Sequence, residues 1–124
     1  MIDLESVRDH CLSKQGQVTE EFPFDEETLV FKIFGKMFLL TNVSEIPLSM
    51  NLKCNPERAI ELRERYSAVT PGYHMNKKFW NTVRPDGSIP DRVVYELIDH
   101  SYDEVVKKLP KKIREKMSVK NSRK

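Results

Sequence analysis

The chain has 124 residues, 39% hydrophobic and 32% charged, with a net charge of +2. That length and balance fit one soluble domain with a real core and exclude a disordered or low-complexity chain. No apolar run approaches the roughly 20 residues of a membrane-spanning helix, the N-terminus lacks a signal-peptide pattern, and a cytoplasmic protein is expected.

Ile2 to about Ser13 reads as a helix: Leu4, Val7, Cys11 and Leu12 recur at helical spacing, Asp3 can cap its start, and Gly16 ends it. Val18 to Phe24 reads as a strand stopped by Pro23 and the acidic turn Asp25-Glu26-Glu27. Leu29 to Phe34 and Met37 to Thr41 are two further strands, joined by Gly35-Lys36 in the pattern of a type II′ turn. Their apolar density implies that both faces of this hairpin are at least partly covered. Leu48 to Leu52 alternates as a strand with one buried face.

Asn55-Pro56 starts a helix, with Asn as N-cap and Pro at the first helical position, and Ala59, Leu62 and Tyr66 as its inner stripe. Pro71-Gly72 reads as a turn and Phe79 to Val83 as a strand. Between them lie Tyr73, His74, Asn76, Lys77 and Lys78, next to the single tryptophan, Trp80. That concentration of polar-tipped aromatics, an amide and cations suits a binding surface; it equally suits a structural turn with core aromatics that keep a hydrogen-bonding end.

Arg84-Pro85-Asp86-Gly87 is a turn, and Ser88 to Asp91 resembles a capping box before a helix carrying Val93, Val94, Leu97 and Ile98. Ser101-Tyr102-Asp103-Glu104 reads as a second capping box and a new helix that Pro110 ends, and Ile113 and Met117 allow one more short basic helix. From Lys107 to Lys124, nine Lys/Arg oppose one carboxylate, Glu115, for a net +8; the remaining body carries 12 cations and 18 carboxylates, a net −6. A basic end on an acidic body points to a polyanionic partner or to a solvated helix. The order of elements describes an α+β fold, a mostly antiparallel sheet with helices packed on one face.

No Gly-rich phosphate loop, HExxH or GxSxG signature is present, and His10, His74 and His100 stand singly. A non-enzymatic protein without cofactor or metal is expected. Cys11 and Cys54 lack CxxC spacing and read as reduced, buried thiols. A Cys54–His74 nucleophile pair is the weaker catalytic option, and Asp25-Glu26-Glu27 is a hard-cation option for which a solvated turn is the simpler account. Nucleic acid is the more plausible ligand. Lys36 is expected at a hairpin tip, Lys53 at a strand end, and Lys77, Lys78 and Arg84 around the central strand, where they would clamp phosphates. Asn76 and Tyr73 would add hydrogen bonds and Trp80 a stacking face.

Leu52-Lys53-Cys54-Asn55-Pro56-Glu57, the run Pro71-Gly72-Tyr73-His74-Met75-Asn76-Lys77 with Trp80-Asn81-Thr82, and Ser101-Tyr102-Asp103 with Leu109-Pro110 resemble the MmcQ/YjbR family. Phe22-Pro23-Phe24, Phe31-Lys32 and Gly35-Lys36-Met37-Phe38 extend the resemblance through the N-terminal half. It covers the chain to about Lys112, so residues 1–112 are expected as one domain and 113–124 as a basic tail outside the pattern. The resemblance implies a CyaY-like fold, similar to frataxin in shape and to the "double wing" C-terminal domain of the phage transcription factor MotA. It also implies a DNA-binding, non-enzymatic function, although fold alone does not fix function. The reading from sequence is a monomeric DNA-binding protein using Lys36, Lys53, Lys77, Lys78 and Arg84, with Asn76 and Trp80 near the groove. The alternative is a protein- or small-ligand-binding module anchored by Tyr73, His74 and Trp80.

Overall fold

The computed structural model describes residues 2–14, 17–72 and 75–122, with side chains described up to Met117; Gly16, Tyr73 and His74, which figure in the sequence reading, lie outside the described residues. Among the described residues, six strands form one antiparallel sheet in the order β1-β2-β3-β4-β6-β5: β1 (Val18–Glu21), β2 (Thr28–Ile33), β3 (Lys36–Asn42), β4 (Met50–Lys53), β5 (Val69–Pro71) and β6 (Trp80–Val83). Four helices among the same residues accompany it, α1 (Leu4–Leu12), α2 (Pro56–Arg65), α3 (Asp91–Val106) and α4 (Lys111–Ser122). The fold is α+β.

Alternation along the strands divides the sheet into two unlike faces. Leu29, Phe31, Ile33, Leu39, Met50, Leu52, Val69 and Val83 meet Val7 and Cys11 of α1, Ala59 and Leu62 of α2, and Val94, Leu97 and Ile98 of α3 in one buried cluster. Among the described residues the opposite face holds a small cluster of Val30, Leu40 and Trp80, flanked by Met37, Met75 and Phe79. Both faces of the β2–β3 hairpin are therefore covered, unequally. A bulge in β3 sets Phe31 opposite Leu39 and Lys32 opposite Met37, so Phe38 is the extra residue. Consecutive Phe38 and Leu39 thereby both join the helix-side core, where Phe38 meets Tyr102 edge-to-face at 5.5 Å.

The helix starts follow the chemistry of their caps. Asp3 accepts the Ser6 amide at 2.8 Å while the Ser6 hydroxyl accepts the Asp3 amide at 3.0 Å, a reciprocal box. The Asn55 side-chain oxygen accepts the amides of Glu57 and Arg58, with Pro56 in the first turn of α2. Asp25 accepts the amides of Glu27 and Thr28, so the acidic turn is closed by one of its own carboxylates.

Four expectations are corrected. The β2–β3 turn has Phe34 (φ 47°) and Gly35 (φ 77°) at its centre, with Ile33 opposite Lys36. Two successive positive φ values make it a type I′ turn, shifted by one residue, and Lys36 becomes the first residue of β3 rather than part of the turn. Leu12, one of the apolar residues recurring at helical spacing in the first helix, is exposed. Ser88 does not cap α3: its amide and hydroxyl both turn back to the Asp86 carboxylate, and Pro90 stands at the N-cap without a side-chain cap bond. Ser101 starts no new helix, because α3 runs unbroken from Asp91 to Val106. No Gly or Pro interrupts that span, and the buried stripe continues through Ser101, Tyr102 and Val105.

The Ser101 hydroxyl is used elsewhere. It donates to the Phe38 carbonyl and accepts the Lys53 amide at 2.8 Å. Leu39 pairs with Leu52, so Phe38 and Lys53 would form the next rung of the β3–β4 ladder. The hydroxyl stands in for that rung and pins α3 to the end of the sheet.

Candidate nucleic-acid interface

At the end of the sheet where β3 begins, β4 ends and β6 begins, the turn after α3 passes over the strands. There Lys36, Met37, Lys53, Trp80, Val105, Lys108 and Leu109 line a groove of about 360 Å³. Lys53 and Trp80 are cross-strand partners, and both project from the face opposite the main core. Trp80 is 8% exposed, so it forms the groove floor rather than a free stacking platform. Met37, Val105 and Leu109 supply the apolar wall, and three ammonium groups stand around it.

Two close approaches hold Trp80 in place. The Gly72 amide donates to the Trp80 carbonyl at 3.0 Å, and a Cβ on Gly72 would lie 3.0 Å from the Cβ of Trp80. Any larger residue there would have to push the Trp80 backbone aside by a few tenths of an ångström. The loop between them is closed by Asn76, whose carbonyl accepts the amides of Phe79 and Trp80 and whose side-chain oxygen accepts the amide of Lys78. The Phe79 carbonyl in turn accepts the Cys54 amide at 2.7 Å, tying the loop to the end of β4.

Around Lys53 the cations Lys108 and Lys36 are opposed by one carboxylate, Glu104. Burial holds the Lys53 ammonium below the usual lysine range, and the neighbouring charges of Lys108 and Lys36 push it further in the same direction. Glu104 pulls the other way, but it is itself ion-paired with Lys107. Lys108 lies 5.1 Å and Lys78 5.6 Å from the centroid of the Phe79 ring, so one aromatic joins the groove's Lys108 to one further cation, Lys78, at the same end of the molecule.

Of the residues singled out in the sequence, Lys36, Lys53 and Trp80 meet in the groove, and Lys78 reaches its margin through Phe79. Lys77 is on the same loop, its carbonyl 3.5 Å from the Arg63 guanidinium of α2. The Asn76 side-chain oxygen is used inside the loop. Arg84 stands apart. It follows Val83 at the far end of β6 from Trp80, about 13 Å away at the usual strand rise. Lys108, Val105 and Leu109 were not singled out as site residues; the only signal for them is the start of the basic segment at Lys107-Lys108.

The other ionisable groups have structural surroundings. Both cysteines are free and buried. Burial pushes the Cys11 thiol up to about 12 and the Cys54 thiol up to about 11, so both are held protonated, the reverse of an activated nucleophile. His74 lies outside the described residues, and the histidine beside Cys54 is His100. Its Nε2 accepts the Asn55 amide at 3.1 Å, and burial, reinforced by Arg58, holds it below the ordinary histidine range. His10 and Lys14 share the Asp99 carboxylate, joining α1 to α3. Among the described residues no three His, Cys, Asp or Glu side chains gather as a metal site, and no helix is long and apolar enough to cross a membrane.

The open antiparallel sheet with helices packed on one face defines an α+β protein. The family model described as YjbR matches residues 12–104, and the chain belongs to that family. It is 35% identical over 105 residues to the uncharacterized protein YjbR of Escherichia coli K12, covering 85% of this chain and 88% of that protein. The crystal structure of Deinococcus radiodurans protein DR2400, with domain DUF419, superposes with a TM-score of 0.88 at 40% identity, covering 95% of this chain and 89% of that one. A protein from Pseudomonas syringae superposes with a TM-score of 0.67 at 24% identity, covering 81% of this chain and 96% of that one; this is a likeness of fold.

Proposed function

We propose that this protein is a non-enzymatic DNA-binding protein, acting as a monomer in the cytoplasm, that holds phosphates with Lys36, Lys53, Lys78 and Lys108. The observation that supports this reading best is the convergence of Lys36, Lys53 and Lys108 on one groove, with Lys53 forced below its ordinary range by burial and by the other two. A phosphate placed there relieves the mutual repulsion and partly replaces the water that Lys53 has lost, so the site favours an anion. The resemblance in sequence to the MmcQ/YjbR family implies a "double wing" fold, which agrees with this reading. Lys77 contributes at the margin, and Arg84 is left out of the contact.

Phosphate binding of this kind releases counterions. Four lysines on four phosphates give a slope of log affinity on log salt of about −3 to −4. Fluorescence anisotropy with labelled random-sequence DNA, repeated over a range of salt, tests the reading. The wild type is expected to bind with that slope, and a Lys53→Glu, Lys108→Glu double variant to lose binding while its melting temperature stays near wild type. Equal binding by the folded double variant would reject the site.

A further inference from the structure

We infer that the groove takes one unpaired base of a DNA strand, with the lysines on the phosphates either side of it, so that the protein prefers single-stranded or locally opened DNA over a closed duplex. This rests on the DNA-binding reading and adds to it what enters the groove.

Lysines alone would be satisfied by any phosphate row, and the groove contains more than lysines. Its wall is the part-exposed Met37 backed by the buried Val105 and Leu109, its floor is Trp80, and the cations stand around them. At about 360 Å³ it lies at the small end of the size of pockets that enclose a compact ligand, about 300–1,000 Å³. A base pair inside a duplex offers the protein only its polar edges in the grooves, its faces being stacked on neighbours. An apolar wall matches a face. Only a base that has left the stack presents one, and its flanking phosphates then fall to the surrounding cations. The chemistry is sequence-tolerant, because every base has such a face. Phe79, part-exposed and bearing Lys78 and Lys108 beside its ring, extends the same combination of aromatic surface and cations beyond the groove, where the strand continues.

Trp80 is the single tryptophan of the chain and forms the groove floor, so intrinsic fluorescence reports directly on occupancy. The full chain is titrated with a thymidine dodecamer, with a closed hairpin duplex of equal phosphate number, and with thymidine monophosphate. The strand is expected to bind tighter than the duplex by about ten-fold or more and to change Trp80 emission, the duplex leaving it unchanged. Met37→Trp, which fills the groove from a half-buried strand position, is expected to lower affinity for the strand far more than for the duplex and so erase the preference between them. Its added fluorophore is bypassed by reading anisotropy of labelled DNA. Met37→Ser, which cuts back the part-exposed side of the wall without adding bulk, is expected to reduce the preference several-fold. Equal affinity for strand and duplex with Trp80 emission unchanged overturns the inference and leaves phosphate binding standing. Saturation by thymidine monophosphate as tight as by the dodecamer overturns it in favour of a free nucleotide. Binding of none of the three overturns both readings.

Discussion

Ser101→Ala removes one oxygen from the middle of the molecule and tests how the groove is held. The Ser101 side chain is fully buried and bridges the Phe38 carbonyl and the Lys53 amide, two main-chain groups that no longer meet directly. Deleting the hydroxyl strands one buried acceptor and one buried donor, each costing about 1–3 kcal/mol. The two groups are the next potential rung after Leu39–Leu52 and can recover part of that by closing on each other. A net loss of about 2 kcal/mol follows, or a fall in melting temperature of roughly 6–12 °C for a domain of this size. Urea unfolding followed by circular dichroism measures it. Because Lys53 sits on the released strand end, DNA affinity is expected to drop as well, although no cation has been removed. A stability change under about 0.5 kcal/mol, the scale of an ordinary surface substitution, would refute the bridge.

Gly72→Ala forces a Cβ to within 3.0 Å of the Trp80 backbone and side chain; overpacking of this sort costs about 1–3 kcal/mol, and altered Trp80 emission in the folded variant is the accompanying sign. For Asp99, burial raises the carboxyl, but the hydrogen bonds from Lys14 and His10 outweigh it and leave it below its ordinary 3.8. A depressed carboxyl stabilises the fold above that pH and loses its contribution as pH falls through the folded value. Asp99→Asn is therefore expected to cost about 0.5–1 kcal/mol at neutral pH, since the carboxylate is partly exposed, and to flatten the acid limb of a stability–pH curve; an unchanged limb would contradict this. Both thiols are expected to resist Ellman's reagent at mildly alkaline pH until denaturant is added, as buried groups held at about 11 and 12 must. Rapid labelling of Cys54 in the native protein would count against that burial.

Local chemistry was legible wherever one residue type does one job. Asp3 and Asn55-Pro56 announced their helix starts, and the alternation of Leu48 to Leu52 placed Met50 and Leu52 in the core. Legibility failed where tertiary contact redirected a side chain. Ser101 carries the sequence signature of a cap, yet its hydroxyl is taken by strands far away in the chain. The β2–β3 turn shifted by one because pairing of Ile33 with Lys36 demanded left-handed backbone at Phe34, a conformation that its residue type does not advertise. At the groove, Lys36 was visible as a hairpin-tip cation and Lys53 as a strand-end cation. Lys108 was not, since the pass of the chain over the sheet after α3 follows from the uninterrupted length of that helix and not from any local motif. Arg84 shares the sequence neighbourhood of Trp80 but occupies the other end of the same strand.

The salt dependence of DNA binding, compared among wild type, a Lys36→Gln, Lys108→Gln double variant and Arg84→Gln, addresses the central claim most directly. Removing the two groove lysines is expected to lower the magnitude of the log–log slope by about 2, close to one unit per lost phosphate contact, and Arg84→Gln to leave it at the wild-type value. An Arg84→Gln slope reduced as much as that of the double variant, or a double variant with the wild-type slope, would contradict a phosphate site at this end of the sheet.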